Sequence, residues 1–372
     1  MNFEFITPDF NLLLQSVRLD DAVAAAREAE KIISGNEIDW EDLYKGADQH
    51  CVKPQLSQLI GQSSSVKIPS DFRERLNDAH RQNIFSQLSY VDDFFKVRNF
   101  LEDAGIQIIP FKGFWMAHEA YGNMADRESL DVDVFVSLKD LESIKELMLE
   151  NGYKEESSFT KLTIEEIKRG FQEYNFDWIE GDTSRFHIEF HWGICPPGYG
   201  MGIRLEDLGS KIIHERFNGQ EISVFNPDAH LLLVLMHHGG KDRFIQLKQV
   251  SDIAHILKKC EDIDWKWVIS EAKRFDAELI VYVGANLAAT LTGVKIPVQI
   301  RDKTESKKID RLAKNRILSM MRPHNKWYNA GFNYNNWLFR MRTRTGFGTR
   351  LKITAASGKE VLMKLKSAAS HN

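Results

Sequence analysis

Residues 127–136, RESLDVDVFV, place two aspartates inside a short apolar segment rich in β-branched residues. Alternate side chains of an extended strand point to opposite faces, so Asp131 and Asp133 share one face while Val132 and Val134 share the other. Aspartate is depleted in strands, and two like charges on one face repel each other. The flanking run is too apolar for a solvated edge strand. The segment therefore predicts a strand whose carboxylates bind a cation.

Length and charge narrow the classes of protein that this chain can be. With 372 residues, of which 43% are hydrophobic, it can form two or three compact domains with sizeable cores. Its net charge of −4 indicates neither a nucleic-acid-binding nor a membrane-binding molecule as a whole.

The compartment is predicted from what the sequence lacks. The longest apolar run, Leu231–Met236, is far shorter than the roughly 18 residues that suggest a membrane span. The N-terminus does not have the pattern of a signal peptide. The three cysteines are far apart and have no C-x-x-C spacing. We therefore expect a cytoplasmic protein without disulfides and without a membrane partner.

The hydrophobic pattern changes twice along the chain. Before residue 95 and after residue 226, apolar residues recur every three or four positions, which is typical of helices. Between these regions, short apolar segments alternate with helical segments, as in a sheet with crossover helices. We predict an α+β fold with a helical region at 1–95, a small mixed-sheet core at 96–225 and a helical region with a basic tail at 226–372.

Three segments of the predicted core are strands that bear on function. Residues 106–111 form an apolar strand that ends at a Lys-Gly turn, and residues 130–136 form the strand with the two aspartates. Residues 173–194 are a predicted hairpin, because two alternating aromatic-rich runs flank a Gly-Asp-Thr-Ser turn. We expect these strands to lie in one sheet, with their acidic residues on the same side.

A phosphate-binding turn and a third acid complete the candidate site. Gly113 opens a helix whose N-terminal N–H groups can bind an anion, and Lys112 adds a positive charge. Carboxylates on the next strand suit Mg²⁺ or Mn²⁺, and two such ions require further neutralisation by a third acid. Glu189 on the hairpin is the candidate, and Asp177 on its partner strand is the alternative.

The order of these residues resembles the polymerase-β-like nucleotidyltransferase superfamily, which has a glycine turn, a D-x-D strand and a later acid. The closer resemblance is to the bacterial uncharacterised nucleotidyltransferase family, over roughly residues 90–290. The residues that match motifs of that family are Lys112-Gly113, Arg127, Asp131-Val132-Asp133, Gly152-Tyr153, His191-Trp192, His237-His238 and Leu247-Lys248 to Asp252. Two positions depart from the usual pattern, since the turn is Lys112-Gly113 and the third acid is Glu189 rather than aspartate.

The resemblance implies a metal-dependent transferase that moves a nucleoside monophosphate from an NTP, such as ATP, to an acceptor hydroxyl or phosphate. The residues it implicates are catalytic and metal-binding Asp131, Asp133 and Glu189, and nucleotide-binding Lys112, Gly113 and Arg127. It implies Mg²⁺ or Mn²⁺ as the cofactor. The overall charge favours a small molecule, peptide or protein as the acceptor over a nucleic acid, and the oligomeric state stays open.

Two other functions fit the same sequence. One is a catalytically silent module of this fold that binds a nucleotide or a protein. The other is a nucleic-acid-acting nucleotidyltransferase that uses the basic tail, which has eight Lys or Arg residues and one acid from Arg340 to Asn372. A solvated terminus is the plain alternative for that tail.

The candidate residues also have purely structural interpretations. Lys112 can extend from an ordinary turn, and Arg127 can form a surface ion pair with Asp126 or Glu128. Glu189 can be a buried acid that is paired with a neighbouring histidine.

For the histidines near the predicted site, packing or support of the site is the favoured interpretation over zinc binding. This applies first to His187 and His191, which flank the third acid. A faint resemblance to the metal ligands of HD-type phosphohydrolases comes from His237, His238, Asp242 and Asp252. An adjacent His-Asp pair is missing, so helix packing that faces the substrate cleft is the favoured interpretation.

Overall fold

The computed structural model describes residues 6–63, 67–322 and 330–369. It shows an α+β protein that is 61% helical, with a five-stranded mixed sheet and helical regions at both ends. The predicted fold class is thereby confirmed, and the division at residues 95 and 225 stays a prediction.

The secondary-structure elements follow one another as helices, a strand-rich core and helices again. The helices are α1 (Pro8–Ser16), α2 (Ala22–Gly35), α3 (Trp40–Gln49), α4 (Lys53–Gly61), α5 (Ser70–Asp103), α6 (Gly113–Met116), α7 (Leu141–Glu150), α8 (Ile164–Gly170), α9 (Pro227–Met236), α10 (Leu247–Lys259), α11 (Trp265–Arg274), α12 (Glu278–Thr292), α13 (Arg301–Thr304), α14 (Lys307–Met320), α15 (Ala330–Arg342) and α16 (Phe347–Ala369). The strands are β1 (Ile109–Pro110), β2 (Val132–Phe135), β3 (Lys154–Glu155), β4 (Glu173–Glu180), β5 (Thr183–His191), β6 (Ile212–Phe217) and β7 (Gln220–Phe225).

Several helices begin and end where local sequence dictates. Asn226 caps α9 by accepting a hydrogen bond from the backbone of Ala229, and Pro227 follows as the first helical residue. Thr163 and Glu166 form a reciprocal capping box at the start of α8. These caps satisfy backbone N–H groups that the helix itself leaves without partners.

The main sheet has the strand order β1-β2-β5-β4-β3. β2 and β5 run parallel, while β1 with β2, β5 with β4, and β4 with β3 run antiparallel. The predicted hairpin is present as β4 and β5, and it turns at Gly181, which adopts a positive φ of 59°. The three strands predicted to share a sheet therefore do so.

One face of this sheet is apolar. Val132, Ile188 and Phe176 lie side by side on the three central strands. Helices α5 and α7 cover that face with buried side chains such as Phe94 and Ile144. Burying one large apolar side chain contributes about 1.5–3 kcal/mol, and a slip of one residue would expose this whole set. The apolar face therefore fixes which side chains point to the opposite face.

The opposite face is polar. Asp133, Glu189 and Asn175 lie side by side there, and His191 and Glu173 form a cross-strand pair one step further along. The C-terminal helical region packs against this side of the molecule and contributes to the larger hydrophobic core, in which most residues of α9, α10 and α12 are buried.

A second hairpin, β6–β7, follows the main sheet and was not predicted from the sequence. Its residue Phe217 packs against Phe95, Phe114 and Trp115, so the hairpin joins the core beneath α5 and α6. Most side chains of β6 are exposed or half-buried. The strand therefore lacks the alternation of apolar and polar residues by which a strand is predicted from sequence. Within the described ranges, no helix has the length and apolar character needed to cross a membrane.

Candidate functional site

Asp133 and Glu189 lie side by side on two parallel strands. The register of β2 and β5 pairs them directly, so both side chains leave the polar face at the same level. Asp133 is buried and Glu189 is half-buried. Strand pairing thus brings together two of the three predicted carboxylates.

His191 and Lys112 bring positive charge to these carboxylates. His191 Nε2 lies 3.1 Å from Asp133 Oδ1 and 3.0 Å from Glu189 Oε2, and Lys112 Nζ lies 2.5 Å from Asp133 Oδ1. Burial acts against charge on the imidazole of His191, but its contacts with both carboxylates raise its pKa. Burial likewise opposes ionisation of Asp133, yet Lys112 and His191 hold its pKa below the ordinary value.

The donor set fits a divalent cation. Asp133, Glu189 and His191 each offer a ligand atom, and these atoms lie within 4.8 Å of one another. Carboxylate oxygens are preferred by Mg²⁺, and an added imidazole nitrogen also suits Mn²⁺.

Asp131 stands at the edge of this group. It immediately precedes β2, it is half-buried, and among the described residues it has no hydrogen bond or ion pair. Burial and the nearby charges of Asp133 and Glu189 raise its pKa. Its carboxylate is not among the atoms that lie within 4.8 Å of one another. A carboxylate that is destabilised by two others is one that a bound cation would stabilise.

The turn at Gly113 can be formed only by glycine. Its φ is +58°, and a Cβ atom at this position would lie 2.9 Å from the carbonyl oxygen of Asp131. The turn therefore packs directly against the entry to β2. Helix α6 begins at Gly113 and continues as a π-helix, Ala117–Tyr121. The helix therefore starts next to β2, as expected for the predicted Lys112-Gly113 turn.

Arg127 forms a buried ion pair with Asp252 of α10. Its Nε and Nη2 lie 2.8 and 2.9 Å from the two carboxylate oxygens, and Tyr121 donates a further hydrogen bond to Asp252 at 2.8 Å. Its Nη1 donates to the Gly113 carbonyl oxygen at 3.3 Å and to Ser129 Oγ at 2.5 Å. Arg127 thus pairs with neither of its sequence neighbours, and it ties the glycine turn to the C-terminal helices.

A second group of possible metal ligands lies on the segment that follows α9, which we call the helical wall. His237, His238 and Asp242 offer ligand atoms within 4.8 Å of one another, and the two histidines begin a π-helix, His237–Lys241. His237 Nε2 lies 3.3 Å from Lys112 Nζ, so this wall contacts the carboxylate site. Burial and the Lys112 charge lower the pKa of His237 to about 3, which keeps the ring neutral.

Lys241 and Glu173 belong to the site but were not expected from the sequence. Lys241 Nζ lies 2.6 Å from Glu173 Oε2, and the same oxygen lies 3.4 Å from His191 Nδ1. Glu173 and Lys241 are 68 residues apart. The only sequence feature that draws attention to Lys241 is its position after the His-His-Gly-Gly stretch.

Asp177 is engaged away from the carboxylate pair. It accepts hydrogen bonds from Ser184 Oγ at 2.7 Å and lies 2.9 Å from His187 Nδ1. Glu189 lies 3.7 Å from the other nitrogen of His187. The His187 ring thus lies between Asp177 and Glu189, whereas Glu189 is directly paired with Asp133.

The basic tail is partly withdrawn from solvent. Arg340 stacks on Tyr199 with its guanidinium carbon 3.9 Å from the ring centroid, and it donates to the Lys241 carbonyl oxygen at 3.3 Å. Arg344 is also buried. These two arginines therefore pack against the rest of the protein and are not free in solvent.

Paired acids on adjacent parallel strands, beside a glycine turn that opens a helix, form the arrangement that the resemblance to nucleotidyltransferases implies. The comparison with family models agrees. The chain belongs to the family described as "uncharacterised nucleotidyltransferase", whose model matches residues 36–293. This match confirms the predicted family, while the bacterial origin stays an expectation. No curated protein matches the chain.

Proposed function

We propose that the protein is a metal-dependent nucleotidyltransferase that moves a nucleoside monophosphate from an NTP to an acceptor hydroxyl or phosphate. The observation that carries this proposal is the direct pairing of Asp133 with Glu189 across parallel strands. Membership of a nucleotidyltransferase family supports the general activity. The nucleotide, the acceptor and the metal are the proposed parts.

The carboxylates have distinct proposed roles. Asp131, Asp133 and Glu189 would hold Mg²⁺ or Mn²⁺, which when bound supplies Lewis-acid stabilisation of charge on phosphoryl oxygens. His187 and His191 outweigh the effect of burial and hold the pKa of Glu189 well below its ordinary value, so that its carboxylate is ionised and available to the cation. A bound cation would acidify the attacking acceptor hydroxyl, and Glu189 would then receive its proton despite being a weak base.

The turn is proposed to bind the triphosphate. Gly113 places backbone N–H groups next to the carboxylate strand, and Lys112 provides an ammonium group. The Lys112 ammonium forms an ion pair with Asp133 in this structure. A phosphate oxygen would compete for that ammonium and free Asp133 for the cation.

A second candidate is binding without transfer. The contact that favours it is the one between Lys112 Nζ and Asp133 Oδ1, because an internal ammonium already neutralises the central carboxylate. A silent module would bind an NTP equally well with and without Mg²⁺. A transferase would gain affinity from the metal and release pyrophosphate.

Calorimetric titration with each of the four NTPs, with and without Mg²⁺, tests the proposal. We expect Mg²⁺ to raise NTP affinity in the wild type and to have little effect in Asp131→Asn/Asp133→Asn. The double variant Asp92→Asn/Asp93→Asn on α5 removes two acids that pair with Lys96 and should behave as the wild type. Equal binding of Mg-NTP by all three proteins would show that the metal assignment is wrong.

A further inference from the structure

A pocket that is rich in arginine lies between α14 and α15, away from the carboxylate site. Its volume is about 310 Å³, near the lower limit for small-molecule sites. Its lining includes Asn315, Arg316, Ser319, Arg322, Phe339 and Arg342. Three of the lining residues are arginines and none is acidic. Along each helix they recur every three or four residues, so two facing helical stripes form the pocket.

Arg316 is the most unusual of these residues. It is 2% exposed, and it forms no ion pair with a carboxylate among the residues that the structure describes. Its Nη1 donates to Asn336 Oδ1 at 2.9 Å, its Nη2 donates to the Asn335 carbonyl oxygen at 3.3 Å, and its buried Nε has no hydrogen-bond partner in the described part. A buried charge without a counter-charge is costly unless an anion accompanies it.

The surroundings of Arg316 add to this positive charge. Burial, together with the charges of Arg243 and Arg322, lowers the pKa of Arg316 to about 9. Phe339 also lines the pocket and stacks against the Arg316 guanidinium, with 4.6 Å between the guanidinium carbon and the ring centroid. Residues 323–329, which join the two helices, contain no Asp or Glu in their sequence.

Helix ends explain only part of the arrangement. Arg322 follows the C-terminus of α14 and Arg342 ends α15, and positive side chains at these positions stabilise the partial negative charge of a helix C-terminus. Arg316 lies before the last turn of α14, where that explanation does not apply. Arg316 joins α14 to α15 through two hydrogen bonds and the Phe339 ring, and its Nε is a donor that these contacts leave unused.

We propose that this pocket binds the phosphoryl group of a small phosphorylated molecule, held by Arg316, Arg322 and Arg342. Guanidinium groups bind phosphate oxygens through paired N–H donors, and Asn315 and Ser319 offer further polar contacts at the rim. A pocket of about 310 Å³ accommodates a phosphate monoester of modest size rather than a long polymer. The site is independent of the proposed transfer reaction, because it requires neither the carboxylates nor a metal.

Equilibrium binding of inorganic phosphate to the full chain, without NTP or metal, tests this inference. We compare the wild type with Arg342→Glu, whose exposed position should not disturb folding. Reversal of one charge that contacts phosphate should weaken binding about tenfold or more. Arg311→Glu is the matched control, since Arg311 is an exposed arginine of α14 that does not line the pocket.

Two further variants locate the bound phosphate. Arg316→Gln should abolish binding at the pocket while circular dichroism shows an intact fold. In a Lys112→Met background, which removes phosphate bound at the proposed nucleotide site, Arg342→Glu should still weaken the binding that remains. The inference is overturned if Arg342→Glu and Arg311→Glu bind phosphate equally, or if Lys112→Met alone removes all binding. It is also overturned if single-stranded RNA binds through Arg342 with steep salt dependence while free phosphate does not bind.

Discussion

Two buried charged networks meet at the Gly113 turn, and they differ in how completely their charges are paired. In the network of Arg127 and Asp252, two parallel hydrogen bonds join one cation to one anion. Tyr121 donates a hydrogen bond to the same carboxylate, and His238 Nε2 lies 3.0 Å from it. Such a closed pair holds elements together.

The carboxylate network is paired incompletely. One nitrogen of His191 lies between Asp133 and Glu189, and Asp131 has no bonded partner among the described residues. Lys112 supplies charge to Asp133 but also contacts His237. The fully paired network supports the structure, whereas the incompletely paired one has capacity left for a ligand.

The largest expected effect comes from breaking the closed pair. Asp252→Asn leaves Arg127 buried without its counter-charge, which should lower the free energy of unfolding by about 3–5 kcal/mol. Chemical denaturation measures this change. The control Asp92→Asn removes an exposed acid of a surface pair and should cost no more than about 1 kcal/mol. Similar losses in both variants would mean that the Arg127–Asp252 pair has no special structural role.

Removing the central carboxylate should cost less stability than Asp252→Asn, because Glu189 still contacts His191 and the charges of Asp131 and Glu189 still act on Lys112. We expect Asp133→Asn to lower NTP turnover at least about hundredfold, equivalent to roughly 2.7 kcal/mol of transition-state stabilisation. Pyrophosphate release measures turnover, and denaturation should show that the folded state persists. If the variant retains full turnover, Asp133 does not take part in the reaction.

The third acid can be assigned by a matched pair of substitutions. Glu189→Gln should remove most transfer activity, because an amide of nearly equal size replaces a charge beside Asp133. Asp177→Asn should have a much smaller effect, because Asp177 contacts His187 rather than Asp133. Both are compared by initial rates at saturating NTP. The reverse order of effects would transfer the role to Asp177.

The closed pair should also give an acid-sensitive stability. Despite the opposing effect of burial, Arg127 and His238 hold the pKa of Asp252 well below its ordinary value. The folded pKa is thus below the unfolded value of about 3.9, so the pair stabilises the protein above that pH, and its contribution is lost as the pH falls through the folded value. Unfolding measured below about pH 4 should therefore depend on pH more steeply in the wild type than in Asp252→Asn. Equal slopes would contradict this account.

The smallest effect is expected at Asp131. Without metal, Asp131→Asn removes repulsion from Asp133 and Glu189, so the free energy of unfolding should rise by up to about 1 kcal/mol. Thermal unfolding with and without Mg²⁺ measures both states. Mg²⁺ should stabilise the wild type more than Asp131→Asn. If both proteins gain the same stability, Asp131 does not bind the ion.

Sequence alone determined the local elements and the family. Alternation of apolar and polar residues specified β2 and the hairpin of β4 and β5, and three- and four-residue spacing specified the C-terminal helices from α9 to α12. Gly113 was identified because its turn is local. These features depend on interactions between residues that are close in the chain, and a periodic pattern records such interactions directly.

The residues that are distant in the chain but share the site could not be predicted from local patterns. Arg127 and Asp252 are 125 residues apart, and Lys241 and Glu173 are 68 apart, so no local pattern encodes either pair. The exposed strand β6 and the two π-helices were likewise absent from the sequence prediction. The parallel register that sets Glu189 beside Asp133 follows from burial of the apolar sheet face, which is a property of the whole core and not of any one segment.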